Sequence, residues 1–187
     1  MRVIAGTARS LPLKTAEGME TRPTTDRIKE TLFNMLNNRL AGCRFLDLFA
    51  GSGAIGIEAL SRGAAQAVFV ENNERALRCI RENLAFTHLE EYGVVRAGDV
   101  LSILSVLERE AAGPFDFVFL DPPYKEDWAQ PVCMALCGGA LIDEDTQIIV
   151  ETALHADFSW TKDIGLAIQK EKKYKTNKHV WLRKEQI

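Results

Sequence analysis

Residues Phe45-Leu46-Asp47-Leu48-Phe49 form a short apolar run that opens into Ala50-Gly51-Ser52-Gly53-Ala54-Ile55-Gly56, so a strand, a glycine loop and a helix must follow one another here. The pattern repeats along the chain. Strand-length apolar runs at 67–71, 93–96, 115–120 and 147–151 alternate with helical spacing at 54–62, 74–87, 100–111 and 127–136. Such alternation predicts a mostly parallel sheet with helices on both faces. Two more strands, 166–172 and 179–183, predict a C-terminal hairpin and bring the sheet to seven strands. Ahead of the first strand, residues 2–14 predict a short strand pair around Gly6. Ile28, Leu32, Met35 and Leu36 then predict a helix over 26–40, capped by Thr24 or Thr25.

With 187 residues and 47% hydrophobic content, the chain is expected to fold as one domain around one core. No apolar run approaches the roughly 20 residues of a membrane-spanning helix, and Met1-Arg2-Val3-Ile4-Ala5-Gly6 has no signal-peptide core, so a cytoplasmic protein is expected. Cys43, Cys79, Cys133 and Cys137 contain no C-x-x-C pair. Cys133 and Cys137 read as one face of a helix, and neither a metal nor a disulfide is expected.

The net charge of -3 hides a strong asymmetry. Residues 1–45 hold eight Lys/Arg against four Asp/Glu, residues 162–187 hold eight against three, and residues 46–161 hold seven against nineteen. Basic ends flank an acidic centre. Solvated surface charge is one explanation. The other is that the ends face nucleic-acid phosphates while the acidic centre holds a cationic cofactor.

Gly51, Gly53 and Gly56 satisfy G-x-G-x-x-G, and Glu71 lies twenty residues past Gly51 at the end of the next strand, where a ribose-binding acid is expected. Asp47 argues against a dinucleotide, because its carboxylate just before the loop would repel a pyrophosphate. S-adenosylmethionine suits the acids better. It carries an ammonium and a sulfonium, two ribose hydroxyls for Glu71 and an adenine amino group for Asp99. Each acid also has a local alternative: Asp47 as a turn cap, Glu71 as a cap of the next helix, Asp99 as the N-cap of the helix at Val100. Their common position at the ends of three successive strands favours a shared site.

A second motif, Asp121-Pro122-Pro123-Tyr124, follows the apolar run Phe115-Asp116-Phe117-Val118-Phe119-Leu120 and therefore sits at a strand's carboxyl end, where open α/β sheets bind ligands. Asp121 and the Pro122 carbonyl are acceptors for the two N–H groups of an exocyclic amine. Pro122 and Pro123 stiffen the turn without adding competing donors, and Tyr124 would stack on an unstacked base.

Asp47-Leu48-Phe49-Ala50-Gly51-Ser52-Gly53, Glu71, Asp99 and Asp121-Pro122-Pro123-Tyr124 resemble the cofactor and catalytic motifs of class I S-adenosylmethionine-dependent methyltransferases acting on amino nitrogens. Together with Arg22-Pro23-Thr24-Thr25-Asp26-Arg27-Ile28-Lys29-Glu30-Thr31-Leu32-Phe33-Asn34, they resemble the ribosomal RNA small subunit methyltransferase D family over nearly the whole chain. The resemblance implies a Rossmann-like class I methyltransferase fold, with an N-terminal hairpin and helix extension at 1–42 and a core at 43–187. It also implies methyl transfer to N2 of a guanine in 16S rRNA, in an assembling 30S subunit, by a monomer without a metal. The cofactor residues it marks are Asp47, Phe49, Ala50, Gly51, Ser52, Gly53, Glu71, Asn72, Asp99 and Val100.

For RNA contact the candidates are Arg9, Arg22, Arg27, Lys172, Lys173 and Lys175, with Lys29 on the same helix as Arg27, and Lys178 and Tyr174 within the basic tail. Asp26 and Glu30 read as intrahelical partners. Two departures from the family pattern stand out: Lys175 follows Tyr174 where a glycine is usual, and Gly6-Thr7-Ala8-Arg9-Ser10-Leu11 is less basic than usual. Alternative functions are an adenine-N6 methyltransferase of DNA or RNA, which shares the Asp-Pro-Pro-Tyr turn, a nicotinamide-dependent oxidoreductase, which shares the glycine loop, and a non-catalytic RNA-binding module.

Overall fold

In the computed structural model, which describes residues 1–15, 26–123 and 127–185, the chain forms two compact units, Met1–Asp99 and Val100–Ile187. The first is organised by three parallel strands, β1 (Arg44–Leu48), β2 (Gln66–Glu71) and β3 (Gly93–Ala97), with β2 in the middle. Its helices are α1 (Asp26–Leu36), α2 (Ala54–Ser61) and α3 (Glu74–Thr87). Every residue of α2 is buried, its two polar members Glu58 and Ser61 included. It lies close on β2 because position 56 lacks a side chain: a Cβ on Gly56 would stand 2.3 Å from the Phe69 ring. Helix α3 is amphipathic, with Leu77, Ile80 and Leu84 inward, and the Asn73 side chain caps it by accepting from the Arg75 and Ala76 amides.

Residues 2–14 form a hairpin-like loop rather than two regular strands. Val3 N donates to Leu11 O and Ser10 N to Val3 O, but Arg2 and Pro12 make an isolated bridge. The loop is fastened to α2 by Glu58, whose carboxylate accepts from the Ile4 and Ala5 amides at 2.8 and 3.0 Å. Gly6 packs so tightly that a Cβ would lie 1.7 Å from Ser61 O. Lys29 completes this joint. It is fully buried, with Nζ 3.2 Å from Glu58 and donating to Arg2 O, so it is structural rather than a surface for RNA. Burial pulls its pKa down against the attraction of Glu58. Asp26 pairs with Arg2 at 3.3 Å and also acts electrostatically on Lys29 of its own helix. Helix α1 stops at Leu36 and a 3-10 turn, Asn37–Arg39, covers the rest of the expected span.

The second unit contains α4 (Val100–Arg109), β4 (Phe117–Leu120), α5 (Ala129–Cys137), β5 (Gln147–Ala153), β6 (Leu166–Lys173) and β7 (Asn177–Lys184). Strand β4 runs parallel to β5, and β7 is antiparallel to both β5 and β6, giving the order β4-β5-β7-β6. Strand β4 starts two residues later than expected because the Phe115 amide turns away to Leu141 O. The hairpin of β6 and β7 lies where expected, though a 3-10 turn, Ser159–Ile164, precedes it unannounced. All four cysteines are free thiols, and burial pushes the Cys133 thiol far up, leaving it inert. Among the described residues no acid, His and Cys cluster could hold a metal ion, and no helix is long and apolar enough to cross a membrane.

Candidate functional site

The glycine loop between β1 and α2 is shaped by three left-handed residues, Phe49, Gly51 and Gly53, with φ of 60°, 56° and 79°. Gly53 is the N-cap of α2. A side chain on Gly51 would meet nothing within 4 Å, so this glycine serves the backbone turn and leaves open space beside it. Asn83 of α3 holds the loop from behind. Its Nδ2 donates to Ser52 O at 2.9 Å and to Lys14 O at 3.0 Å, and its Oδ1 accepts from Lys14 N at 2.8 Å.

Glu71, the last residue of β2, is buried and accepts three backbone N–H groups: Gly51 at 2.8 Å on one oxygen, Asn72 at 2.9 Å and Asn73 at 2.8 Å on the other. It therefore anchors both the glycine loop and the turn into α3, while Asn73 caps that helix. A carboxylate has about four acceptor positions, so one remains for a ligand hydroxyl. Asn72 is exposed beside it.

Asp47 is also buried, with Oδ2 accepting from Gly56 N at 2.9 Å in the first turn of α2. Burial pushes its pKa up to about 8; the Gly56 bond opposes this and the charge of Glu71 adds to it. A proton on Asp47 would lessen its repulsion of a pyrophosphate. Hydrogen bonding also disfavours a dinucleotide. The amides of Ala50, Gly51, Gly53 and Gly56 are already donated to Val70 O, Glu71, Ala50 O and Asp47, so few remain to cradle phosphates. Asp99 is exposed, two residues beyond β3, and Val100 is the buried first residue of α4. The parallel register brings Asp47, Glu71 and Asp99 toward the same edge of the β1–β2–β3 sheet.

In the second unit, the wholly buried β4 ends at Leu120. Half-buried Asp121, buried Pro122 and exposed Pro123 follow; Tyr124 lies outside the described residues. Beside this turn, β5 carries, two residues before its end at Ala153, an acid that belongs to none of the motifs above. Glu151 comes one residue after Val150, which is paired with Leu120. It is buried, accepts from Asn177 Nδ2 at 2.7 Å and lies 3.0 Å from His179 Nε2; His179 Nδ1 lies 3.2 Å from the Tyr174 hydroxyl. Glu151 bears the same mark as Asp47 and Glu71, an acid in the last residues of an apolar strand. Its partners lie 26 and 28 residues away, beyond any local pattern.

The basic residues separate into two kinds. Arg9, Arg27, Lys172, Lys173 and Lys175 are exposed, and Arg22 falls outside the described residues. Lys178 is not available: it is buried, paired with Glu171 at 2.9 Å and set 5.6 Å from the Phe158 ring centre. Tyr174 is half-buried, with its ring edge-on to His179. Lys172 is opposite His179 and Lys173 opposite Lys178, so strand alternation sends the two lysines to opposite faces. A depression of about 380 Å³ lined by Phe158, Lys162, Ile168 and Lys178 shares no residue with the glycine loop or the Asp121 turn.

Comparison with known proteins places this geometry in a family. The family model described as conserved hypothetical protein 95 matches residues 1–183. Ribosomal RNA small subunit methyltransferase D of Haemophilus influenzae is 38% identical over 157 residues, 81% of this chain and 78% of that one. The protein of the same name from Escherichia coli K12 is 35% identical over 154 residues, 81% and 74% of the two chains. A solved hypothetical protein of Thermus thermophilus superposes with a TM-score of 0.82 at 29% identity, covering 97% of this chain and 98% of that one. The fold is Rossmann-like α/β with seven strands of mixed direction among the described residues. The chain belongs to the conserved hypothetical protein 95 family, and with it to the ribosomal RNA small subunit methyltransferase D proteins.

Proposed function

We propose that this protein is an S-adenosylmethionine-dependent rRNA methyltransferase and that it methylates the exocyclic N2 amine of a guanine in 16S rRNA, within an assembling small ribosomal subunit. The whole chain, residues 1–187, serves this one activity. A bacterial rRNA substrate makes the protein cytoplasmic, and it acts as a monomer. The observation that carries the reading is Asp121-Pro122-Pro123 closing a buried strand, in a chain whose relatives are named as rRNA methyltransferases.

The first-unit residues suit the cofactor. Glu71 keeps one acceptor position for a ribose hydroxyl, the open space at Gly51 admits a ligand, and exposed Asp99 and Asn72 offer polar contacts for adenine and ribose. Asp47, protonated where no cation stands near it, would lose its proton more readily beside an ammonium or sulfonium. The cofactor supplies an electrophilic methyl group on a positively charged sulfur.

The protein's task is to make a weak nucleophile attack. A guanine amine is poor because its lone pair is delocalised into the ring. Asp121 and the Pro122 carbonyl accept its two N–H groups, localise the lone pair and aim it. With the cofactor bound, its methyl group would pass to this nitrogen, the sulfur would keep the bonding electron pair, and positive charge would grow on the nitrogen. The Asp121 carboxylate stabilises that charge and accepts the departing proton. Arg9, Arg22, Arg27, Lys172, Lys173 and Lys175 contact RNA phosphates.

Labelled S-adenosylmethionine supplied with 30S particles from a strain lacking the gene, followed by mapping of the labelled base, tests the reading. Label on guanine N2 of 16S rRNA is expected. Label on adenine N6, or none while the cofactor still binds, refutes it.

A further inference from the structure

The group of buried polar side chains around Glu151 is not used by the mechanism above, yet it lies at the end of the strand beside the Asp121 turn. Within β5, Glu151 comes directly after the Leu120–Val150 pair. His179 is opposite Glu151, and Asn177 is opposite Ala153, still further toward the same end of the sheet. His179 is enclosed by Phe119, Tyr174 and Trp181, with ring centres 5.9, 5.0 and 5.7 Å away.

The protons in this group can be assigned from chemistry. An ionised carboxylate only accepts, so Nε2 of His179 and Nδ2 of Asn177 both donate to Glu151. Nδ1 of His179 lies 3.2 Å from the Tyr174 hydroxyl, which burial and the charge of Glu151 hold protonated by pushing its pKa up to about 12. The decisive consequence falls on Asn177. With its NH₂ committed to Glu151, its carbonyl oxygen is fixed on the other side, and that oxygen is buried without a donor among the described residues. Its residue is only 4% exposed. A buried acceptor left unpaired is a cost that a ligand donor removes.

We propose that Asn177 Oδ1 is a base-reading acceptor that takes the ring N1–H of the target guanine. This rests on the guanine-N2 reading and adds the reason for the choice of base. Guanine carries a ring N–H beside its amine. Adenine and cytosine present a bare ring nitrogen there, which would face the oxygen lone pair to lone pair and leave it unsatisfied. Glu151, His179 and Tyr174 are positioning residues: they keep the amide from turning over.

The test uses the mapped rRNA target with its guanine replaced by 2-aminopurine, which keeps the 2-amino group and lacks N1–H. Wild-type kcat/KM is expected to fall about tenfold to a hundredfold on 2-aminopurine. Asn177→Ala should lose a similar factor on guanine and little more on 2-aminopurine, with S-adenosylmethionine affinity unchanged. Glu151→Gln, which can donate as well as accept, frees the amide to turn and should narrow the preference for guanine. Equal wild-type rates on guanine and 2-aminopurine overturn the proposal, as does an Asn177→Ala loss that is the same on both. If Asn177→Ala does not fold, the wild-type comparison alone decides. Transfer to N2 that ignores the N1–H sinks only this inference, whereas no transfer to either RNA sinks the guanine-N2 reading with it.

Discussion

Replacing Glu71 with Gln should disable the glycine loop through a single amide. The wild-type carboxylate accepts from Gly51 on one oxygen and from Asn72 and Asn73 on the other. Glutamine can turn its carbonyl toward Asn72 and Asn73, but its NH₂ then opposes the Gly51 N–H, donor against donor. The lost charge-assisted bond is worth about 1.5–3 kcal/mol, and the two surviving bonds become neutral ones of roughly half the strength. Gly51 holds a left-handed φ of 56°, so without its anchor the loop has a ready route out of its bound shape. S-adenosylmethionine affinity, read by calorimetric titration, should fall by about tenfold to a hundredfold for the loop alone. Asn73→Ala is the control. It removes the α3 cap on Arg75 and Ala76 and costs about 1 kcal/mol of stability while leaving the Gly51 bond in place. If Glu71→Gln binds the cofactor within twofold of wild type, or no worse than Asn73→Ala, the anchoring argument is wrong.

Four further outcomes are expected. Because the folded pKa of Asp47 is raised to about 8, its contribution to stability is full at low pH and is lost as pH rises from about 4 to 8, at up to about 1.4 kcal/mol per unit. Asp47→Asn, close in shape to the protonated acid, should flatten that slope in denaturant titrations; an unchanged slope would rule out Asp47 as its source. Asp121→Ala should abolish methyl transfer with cofactor affinity intact, and retained turnover would remove Asp121 from the chemistry. Replacing Lys172 and Lys173 together should weaken RNA binding and lower its salt slope by about one for each phosphate no longer neutralised; since they point to opposite faces, a fall of one rather than two identifies a single contacting face, and no fall excludes both. Gly56→Ala, whose Cβ would stand 2.3 Å from the Phe69 ring, should cost about 1–3 kcal/mol of stability by overpacking, and a melting temperature equal to wild type would contradict the tight α2–β2 contact.

The strands were legible because each carries its own signal. Val, Ile and Phe runs bounded by Gly, Asn and Asp located β1 through β5 to within two residues at either end, and α3 was located without error at Glu74–Thr87. Acids closing β1 and β2 were legible in the same way, since a carboxylate after an apolar run is conspicuous. The roles of those acids were not. Whether Asp47 is ionised depends first on its burial, then on the Gly56 amide and on Glu71 across the sheet. Whether Glu71 is a ligand acceptor or a loop anchor depends on Gly51, whose amide reaches it from the other side of the loop.

The same limit explains the lysines. Counting charge treats every Lys as solvated, and it is right for Lys172, Lys173 and Lys175. It fails at Lys29 and Lys178, each buried against a glutamate that only folding brings near. Asn177 and His179 carried no local signal at all; they matter because β7 returns antiparallel beside β5 and aligns them with Glu151 and Ala153.

By itself, then, the sequence determined the order and kind of elements, the glycine loop, and the placement of Asp47, Glu71 and Asp121 at strand ends, because apolar periodicity, backbone freedom and turn chemistry act over a few residues. The tertiary structure alone decided which charges remain free, which carboxyl keeps its proton and which amide oxygen is left waiting for a donor. Those properties follow from desolvation and hydrogen bonding between groups that folding brings together from distant parts of the chain.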